Sequence, residues 1–395
     1  MMELTVMFIE GFVCLMLLVL MEHAVMRHWF ASANKIEVPA SMGVSPDVMA
    51  EQNYVHKVLE RHDLSKPSLL ALDLKKSYDR FVALRGVSFH VDPGETLAVL
   101  GMLGSGKSTL LDVLSGIQPP SGGVAYIGDV SLGDVARWEK SIGLCPDYDA
   151  FLGRLTVRQT LTMYAYIRGV QHHSRATLVE HLFALLNLTD VAEDTIDNCS
   201  ASNRRKLAVA VAIVGLPPVL LLDDPATGLD PFAKRTIYKS VQVLRQLSKS
   251  AVLLVTTSLC DAIIMSDRMA IMVDGLFRSI GPLAELQSRH CRGFVLKLKL
   301  KPEAYGNPAA WKAVDGAVKS ALPSAAFSGQ LTAFVEYEID RLPPWNDMAR
   351  ILTDLKQHLG EYVFDVCLSE VTLEHVILKI AKYQVASARV PTVTS

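Results

Sequence analysis

The sequence is poor in cysteine and has no metal-binding arrangement of cysteines. Its six cysteines are scattered over 395 residues, without a Cys-x-x-Cys pair and without histidines at zinc spacing. A small disulfide-stapled scaffold or a structural zinc site would require such clustering. We therefore interpret the cysteines as buried or unreactive thiols in a reducing compartment.

The chain also lacks an excess of charge of either sign. Its formal net charge is −2 at pH 7, and 20% of its residues are charged. A nucleic-acid-binding surface is usually visible as an excess of Lys and Arg, so we predict no nucleic-acid partner. A guanine-reading Asn/Thr-Lys-x-Asp motif is absent as well, and this absence argues against a GTPase.

Apolar residues, in contrast, make up half of the chain, and its 395 residues have room for about two or three domains. One apolar run occupies residues 4–21, interrupted by a single charge. A helix of that length can cross a hydrocarbon core of roughly 30 Å. We predict a transmembrane helix and its flank in residues 1–30; a secretory signal and a buried core helix are the alternatives. Basic residues follow the run and none precedes it, so residues from about 31 onward are predicted to be cytoplasmic.

Strand-like and helix-like segments alternate in residues 67–292. Residues 31–66 before them are interpreted as a linker with one short amphipathic helix. Short apolar runs are typical of buried strands in a parallel sheet, whose two faces are covered by helices. We therefore predict a mostly parallel α/β domain. The strand-like runs are Val87–Val91, Thr96–Leu100, Val219–Leu222 and Ala251–Val255.

The pattern changes after Gly293, where we predict an α+β domain over residues 293–385 and a loose tail at 386–395. Its strand-like segments are 295–301, 331–339 and 362–368, and its helix-like segments are 308–322, 348–359 and a closing helix from Leu373. We assign this region the β-α-β-β-α-β order of a ferredoxin-like fold.

The clearest motif is a phosphate-binding loop. Residues 101–108 match Gly-x-x-x-x-Gly-Lys-[Ser/Thr] and lie between a strand-like run and a helix-like one. Glycines let backbone N–H groups curl around phosphate oxygens, and the positive end of the following helix favours negative charge. Lys107 is expected to meet the β- and γ-phosphates, and Ser108 to bind Mg²⁺. The predicted binding residues are Gly101, Gly104, Ser105, Gly106, Lys107, Ser108 and Thr109.

A second motif is the run Val219–Leu222 followed by Asp223. An acid at the tip of a buried strand can hold Mg²⁺ from the side opposite to Ser108. The two motifs together predict ATP and Mg²⁺ as cofactors.

With these motifs the chain resembles the ATP-binding cassettes of membrane transporters, specifically subfamily A, the lipid exporters. Asp223-Asp-Pro-Ala-Thr-Gly-Leu-Asp230 is similar to their Walker B and D-loop run. Thr372-Leu-Glu-His-Val376 is similar to part of their C-terminal regulatory domain. The resemblance extends from the predicted membrane helix to about Gln384.

The resemblance implies further site residues and partners. Tyr78 would stack on adenine, an interaction worth about 1–3 kcal/mol per base, and Asp230 would belong to the D-loop. The signature, which contacts the nucleotide of a second cassette, would be formed by Ser200, Ala201, Ser202 and Asn203. A second cassette, transmembrane helices and a membrane lipid are therefore the implied partners.

The chain departs from the family mainly at positions that serve hydrolysis. Asp224 stands where the family has the Glu that orients the attacking water. Asp147 replaces the Q-loop Gln, and Thr257 replaces the switch His. Two signature glycines are replaced by Ala201 and Ser202, which place side chains where a partner's phosphate would approach. We keep Asp147, with Ser108 and Asp223, as a predicted Mg²⁺ ligand.

The retained residues serve binding and the altered ones serve turnover, to which a positioned base typically contributes 10²–10⁴-fold. We therefore favour an ATP-holding half that regulates a partner cassette over a slow ATPase with Asp224 as a weakened base. A soluble cassette without a transport role and a structural protein that has lost nucleotide binding, because Leu103 replaces an Asn of the loop, are further alternatives.

Two local patterns have simpler interpretations. Thr156-Val-Arg-Gln159 has the form of a capping box that opens a helix. Arg204-Arg-Lys206 is interpreted as the solvated start of a helix, with contact to acidic lipid as the alternative.

Overall fold

The computed structural model describes residues 45–61, 68–79, 81–291, 293–305, 307–331, 333–339 and 344–377. These residues form two compact units, and the boundary in the chain lies between Gly281 and Pro282. The predicted transmembrane helix and the C-terminal tail lie outside the described residues. Among the helices that are described, none is both long and apolar enough to span a membrane.

The strands of the first unit form two sheets. They are β1 (Leu69–Tyr78), β2 (Phe81–Val91), β3 (Thr96–Leu100), β4 (Gly122–Ile127), β5 (Val130–Ser131), β6 (Ile142–Cys145), β7 (Val219–Asp223), β8 (Ala251–Thr256), β9 (Arg268–Val273) and β10 (Leu276–Gly281). The larger sheet has the order β10-β9-β3-β8-β7-β6, and the smaller one has the order β2-β1-β4-β5.

The larger sheet is parallel except for its edge strand β10, which pairs antiparallel with β9. Strands β3, β7 and β8 are buried along their whole length, as a sheet covered on both faces requires. The predicted α/β fold is confirmed. Because β3, β7 and β8 are parallel, their carboxyl ends lie at one edge, where ligands bind in open α/β sheets.

Helices of the first unit cover the sheets and form a helical region between β6 and β7. They are α1 (Pro46–Glu60), α2 (Lys107–Leu114), α3 (Val135–Ser141), α4 (Val157–Ile167), α5 (His172–Leu186), α6 (Ala201–Ile213), α7 (Pro231–Ser248) and α8 (Leu259–Met265). The predicted capping box is confirmed at the start of α4. There, the Gln159 amide donates to the Thr156 hydroxyl and the Thr156 amide donates to the Gln159 side chain.

Helix α1 lies within residues 31–66, where we predict a linker with one short amphipathic helix, and it packs against the sheets of the first unit. Val48, Val55 and Val58 on one of its faces are buried. Val48 joins the main core of the first unit, whereas Val55 and Val58 pack with Leu70 of β1. Apolar residues three to four positions apart form one stripe on a helix, and this stripe holds α1 in place.

The second unit is an antiparallel sheet with two main helices. Its elements are α9 (Leu283–His290), β11 (Phe294–Leu300), α10 (Pro308–Ala321), β12 (Ala325–Leu331), β13 (Phe334–Ile339), α11 (Trp345–His358) and β14 (Val363–Glu370). The sheet order is β12-β13-β11-β14. Val314 and Val318 of α10, with Met348 and Leu355 of α11, belong to the core of this unit.

Candidate nucleotide-binding site

The loop of residues 101–108 connects the buried strand β3 to α2. Gly106 has φ +102° and caps the helix N-terminus, and a Cβ atom there would lie 2.5 Å from the carbonyl oxygen of Ala83. A Cβ atom at Gly101 would lie 2.5 Å from the carbonyl oxygen of Met272. Only glycine fits at these two positions, because larger residues would collide with backbone.

Lys107 folds back onto the loop. Its side-chain nitrogen donates to the carbonyl oxygens of Gly101 and Met102, both at 2.8 Å, and to the Ser105 hydroxyl at 3.3 Å. The residue is 6% exposed. Burial lowers the pKa of the Lys107 amine, and the charges of the nearby acids oppose this shift. The loop is therefore closed around its own cation.

The other predicted binding residues of the loop and of the start of α2 differ in exposure. Gly104 and Ser108 are exposed, Thr109 is half-buried and Ser105 is buried. Leu103, which replaces the family's Asn, is 88% exposed. Its side chain points to solvent and leaves the backbone of the loop in the arrangement described above.

Tyr78, at the end of β1, is half-buried beside the start of α2. Its hydroxyl pairs with the Thr109 side chain, and burial raises the pKa of the Tyr78 phenol. The Lys76 ammonium lies 5.0 Å from the centre of the Tyr78 ring. Lys76 is itself buried and donates to the carbonyl oxygen of Pro119 at 2.8 Å, so it supports the ring from the protein interior.

Three acids predicted from the sequence interact electrostatically near Lys107. Burial, followed by the charges of Asp147 and Asp224, raises the pKa of Asp223 to about 7. A divalent cation would relieve this repulsion. Mg²⁺ in nucleotide sites takes few protein oxygens, because phosphates and water complete its shell, and the Ser108 hydroxyl and the Asp223 and Asp147 carboxylates predicted to bind it are oxygen donors of the kind it takes.

The raised pKa of Asp223 predicts how stability depends on pH. Between the unfolded value of about 3.9 and the folded value of about 7, the folded chain retains a proton that the unfolded chain has released. Stability should therefore fall as pH rises through this range, by at most about 1.4 kcal/mol per pH unit, and level off above it. Urea unfolding of the metal-free chain between pH 5 and 8 measures this slope. In Asp223→Asn the slope should flatten; an unchanged slope would rule out Asp223 as its source.

Asp224 is held by hydrogen bonds from three neighbours. Its Oδ1 accepts from the Thr256 hydroxyl at 2.7 Å, from the Thr227 hydroxyl at 3.1 Å and from the Thr257 amide at 3.2 Å. The backbone at Asp224 has φ +42°. One carboxylate oxygen is therefore occupied by protein donors. Thr257 is exposed and contributes its amide here, without a ring nitrogen.

The signature and D-loop residues lie at helix starts. Ser200 caps α6 by accepting from the Asn203 amide at 3.2 Å, and Ala201 is exposed while Ser202 is half-buried. Asp230 caps α7 by accepting from the Phe232 amide at 2.9 Å and from the Ala233 amide at 3.0 Å. These hydrogen bonds also lower the pKa of Asp230.

The basic stretch after the signature differs from its prediction. Arg204 is half-exposed and pairs with Asp149 at 2.9 Å, whereas Arg205 and Lys206 are each only 8% exposed. Lys206 donates to the carbonyl oxygen of Asn187 at 2.9 Å. The prediction of a solvated helix start is wrong for these two residues, because long basic side chains bury their stems while the heads find carbonyl partners.

Arg205 is a site residue that the sequence did not reveal. Its guanidinium donates to the carbonyl oxygens of Pro146, Asp223, Asp224 and Pro225. It therefore connects α6 to the loop that carries Asp147 and to the end of β7, which carries Asp223. Five donors in a fixed plane make arginine suited to such a junction. Within the sequence, only its position after the signature distinguishes it.

Comparisons with known proteins agree with this geometry. A family model described as ABC transporter matches residues 84–227, which include the loop and both acids at the end of β7. An ATP-binding subunit of an ABC transporter has a similar structure, with a TM-score of 0.52 and 25% identity, over 56% of this chain and 92% of that one. A dimeric bacterial cassette solved with ADP and Pi matches at a TM-score of 0.51 and 21% identity, over 54% and 98%; it supports the fold alone.

Similar proteins of established function extend the match beyond the first unit. The chain is 32% identical over 325 residues to the human phospholipid-transporting ATPase ABCA3, covering 81% of this chain and 19% of that protein. It is 30% identical over 358 residues to the mouse organic anion transporter ABCA8A, covering 87% and 21%. It is 29% identical over 362 residues to the human glucosylceramide transporter ABCA12, covering 91% and 14%. This chain thus spans about a fifth or less of the relatives it matches.

Sequence family, relatives and fold lead to the same assignment. The chain belongs to the ABC transporters, as a nucleotide-binding domain whose relatives include lipid transporters of subfamily A.

Proposed function

We propose that this chain binds MgATP at the loop of residues 101–108 and holds it as the regulatory half of a subfamily A-type lipid transporter. The observation that carries the proposal is the position of Lys107 between a glycine-shaped loop and two carboxylates whose charges act on its amine. Cations and backbone amides on one side and acids on the other are what a triphosphate with its metal requires.

Each residue has a defined part in binding. Lys107 would move from the carbonyl oxygens of Gly101 and Met102 to the phosphates. Ser108, with Asp223 and Asp147, would hold Mg²⁺, which neutralises charge on the β- and γ-phosphates. Tyr78, supported from behind by Lys76, would stack on adenine through its other face.

The arrangement supports holding ATP over hydrolysing it. Asp224 is shorter than the family's Glu, and one of its oxygens already accepts three hydrogen bonds. At Thr257 a hydroxyl and an amide stand where the family has an imidazole. A slow ATPase with Asp224 as a weakened base is the second candidate, because this carboxylate still lies next to Asp223.

Partners and location follow from the family. The proposed partners are a second cassette, transmembrane helices and a membrane lipid, with no nucleic acid. We place the chain at a membrane, with a transmembrane helix in residues 1–30 and residues from about 31 cytoplasmic. The proposed domains are the cassette at 67–292 and a ferredoxin-like regulatory domain at 293–385, which the sheet order of the second unit supports.

Calorimetric titration of the full chain tests the proposal. MgATP should bind saturably with one site per chain, and removal of magnesium should weaken the affinity about tenfold or more, since repulsion between carboxylates and phosphates would be uncompensated. If no magnesium-dependent uptake of ATP were detected, the proposed function would be overturned.

A further inference from the structure

Helix α1 is attached to the cassette by buried carboxylates as well as by its apolar stripe. Glu51 is 7% exposed. Its Oε2 accepts from Arg268 at 2.5 Å, and its Oε1 accepts from the His90 backbone amide at 3.0 Å and lies 2.6 Å from His90 Nδ1. Although burial disfavours the charged form, the bonds from His90 and Arg268 outweigh it and lower the pKa of Glu51. Burial of a carboxylate costs desolvation energy even when the group is paired, and a helix that only covers a surface could be attached by its apolar stripe without this cost.

A second carboxylate on α1 reaches the next strand. Asp47 Oδ2 accepts from the Ser279 hydroxyl at 2.5 Å and from the Ile280 amide at 2.8 Å. Arg268 begins β9, and Ser279 and Ile280 lie in β10. Asp47 and Glu51 are four residues apart and lie on one face of the helix. They therefore hold both strands of the β9–β10 hairpin at its open end.

The other end of this hairpin holds the phosphate-binding loop. The turn is formed by Asp274 and Gly275, both with positive φ. The Gly275 amide donates to the carbonyl oxygen of Ser105 at 2.9 Å. Asp274 also pairs with Arg85 at 3.1 Å, which fixes the turn to β2.

The hairpin also forms the wall behind the loop. The carbonyl oxygen of Met272 would lie 2.5 Å from a Cβ atom of Gly101, and the Met272 methyl group would lie 3.2 Å from a Cβ atom of Gly106. Any displacement of the hairpin therefore moves atoms in direct contact with the loop, since packed interiors transmit strain.

We propose that α1 is a positioning element of the nucleotide site: Asp47 and Glu51 hold the β9–β10 hairpin, which holds the phosphate-binding loop, so α1 docking and MgATP binding strengthen each other. This inference rests on the proposed function, because the ligand it invokes is MgATP. The segment of chain immediately before the cassette would thereby sense whether nucleotide is bound.

Linkage provides a test that a merely structural helix would fail. If docked α1 raises the affinity for MgATP by some factor, MgATP must raise the docking equilibrium of α1 by the same factor. Hydrogen exchange of the α1 amides in the full wild-type chain reports that equilibrium. With saturating MgATP we expect α1 exchange to slow about fivefold or more, whereas α5 amides, which lie outside this chain of contacts, should change less than twofold.

Variants of α1 measure the coupling through their effect on the affinity for MgATP. Asp47→Asn combined with Glu51→Gln keeps the side-chain shapes and should weaken MgATP affinity about fivefold in the titration. Lys57→Gln, at an exposed position of α1, should leave the affinity within twofold. The wild-type exchange measurement decides the matter if the double variant fails to fold.

The outcomes separate this inference from the proposed function. If MgATP binds and α1 exchange is unchanged, or slows no more than α5 exchange, the coupling is overturned and the nucleotide site stands. If MgATP does not bind, both are overturned. A matched fivefold change in exchange and in affinity supports the coupling.

Discussion

Replacement of Lys107 by alanine should reduce the affinity for MgATP about 100-fold or more. The Lys107 amine is the cation enclosed by the loop, and in the bound state its hydrogen bonds would go to charged phosphate oxygens. Each hydrogen bond to a charged group contributes about 1.5–3 kcal/mol, and every 1.4 kcal/mol corresponds to a factor of ten. Calorimetric titration of Lys107→Ala against the wild-type chain measures the loss.

A matched control separates this effect from a general loss of positive charge. Lys239 is exposed on α7, and Lys239→Ala should bind MgATP within twofold of the wild type. Circular dichroism should show the same helix content in both variants. If Lys107→Ala retained wild-type affinity, the phosphates could not lie at this loop.

Restoration of four of the family's residues should raise the rate of ATP hydrolysis about 100-fold. Asp224→Glu extends the carboxylate by one methylene, away from the three donors that hold it, and Thr257→His supplies an imidazole. A positioned base contributes typically 10²–10⁴-fold. Because the chain would have to pair with its own signature, Ala201→Gly and Ser202→Gly belong in the same variant. Steady-state phosphate release by the fourfold variant and by the wild type measures the gain.

Two further variants serve as controls for this experiment. The signature changes alone should leave hydrolysis as slow as in the wild type, because they supply no base. Asp224→Asn in the wild-type background should change the rate less than twofold. A fast wild-type rate that Asp224→Asn abolished would refute the regulatory proposal and establish Asp224 as a working base.

The central strands and the loop could be predicted because their signals are local. Strands β3, β7 and β8 are continuous apolar runs. Such a run requires burial on both faces of a sheet, and it is visible in the sequence alone. The strand-like segment predicted at 331–339 covers β13 but only the last residue of β12, because Ser328-Gly329 interrupts the alternation of β12 at a register shift after Phe327. The bulge reverses the direction of side chains, so the period of two is lost.

Long-range pairing explains what the sequence could not provide. The interpretation of residues 31–66 as a linker overlooked the partners of α1, since Glu51 and Arg268 are 217 positions apart. Arg205 was hidden by a similar difficulty: a run of basic residues has the appearance of a solvated surface, and only the folded chain brings four carbonyl oxygens around this guanidinium. Motifs reveal residues that contact a ligand, whereas residues that position them require the structure.

The hydrogen bonds that Lys107 makes within its own loop affect how tightly the loop can bind a ligand. Two carbonyl oxygens and one hydroxyl already satisfy the amine, so an arriving anion does not meet a bare charge; it exchanges one set of partners for another. The binding free energy is therefore the difference between the hydrogen bonds of the amine to the anion and those within the loop. Water must then reach the acceptors that the amine leaves behind. A loop with this property is ordered before a ligand binds, and it favours ligands whose oxygens carry more negative charge than these three neutral oxygens.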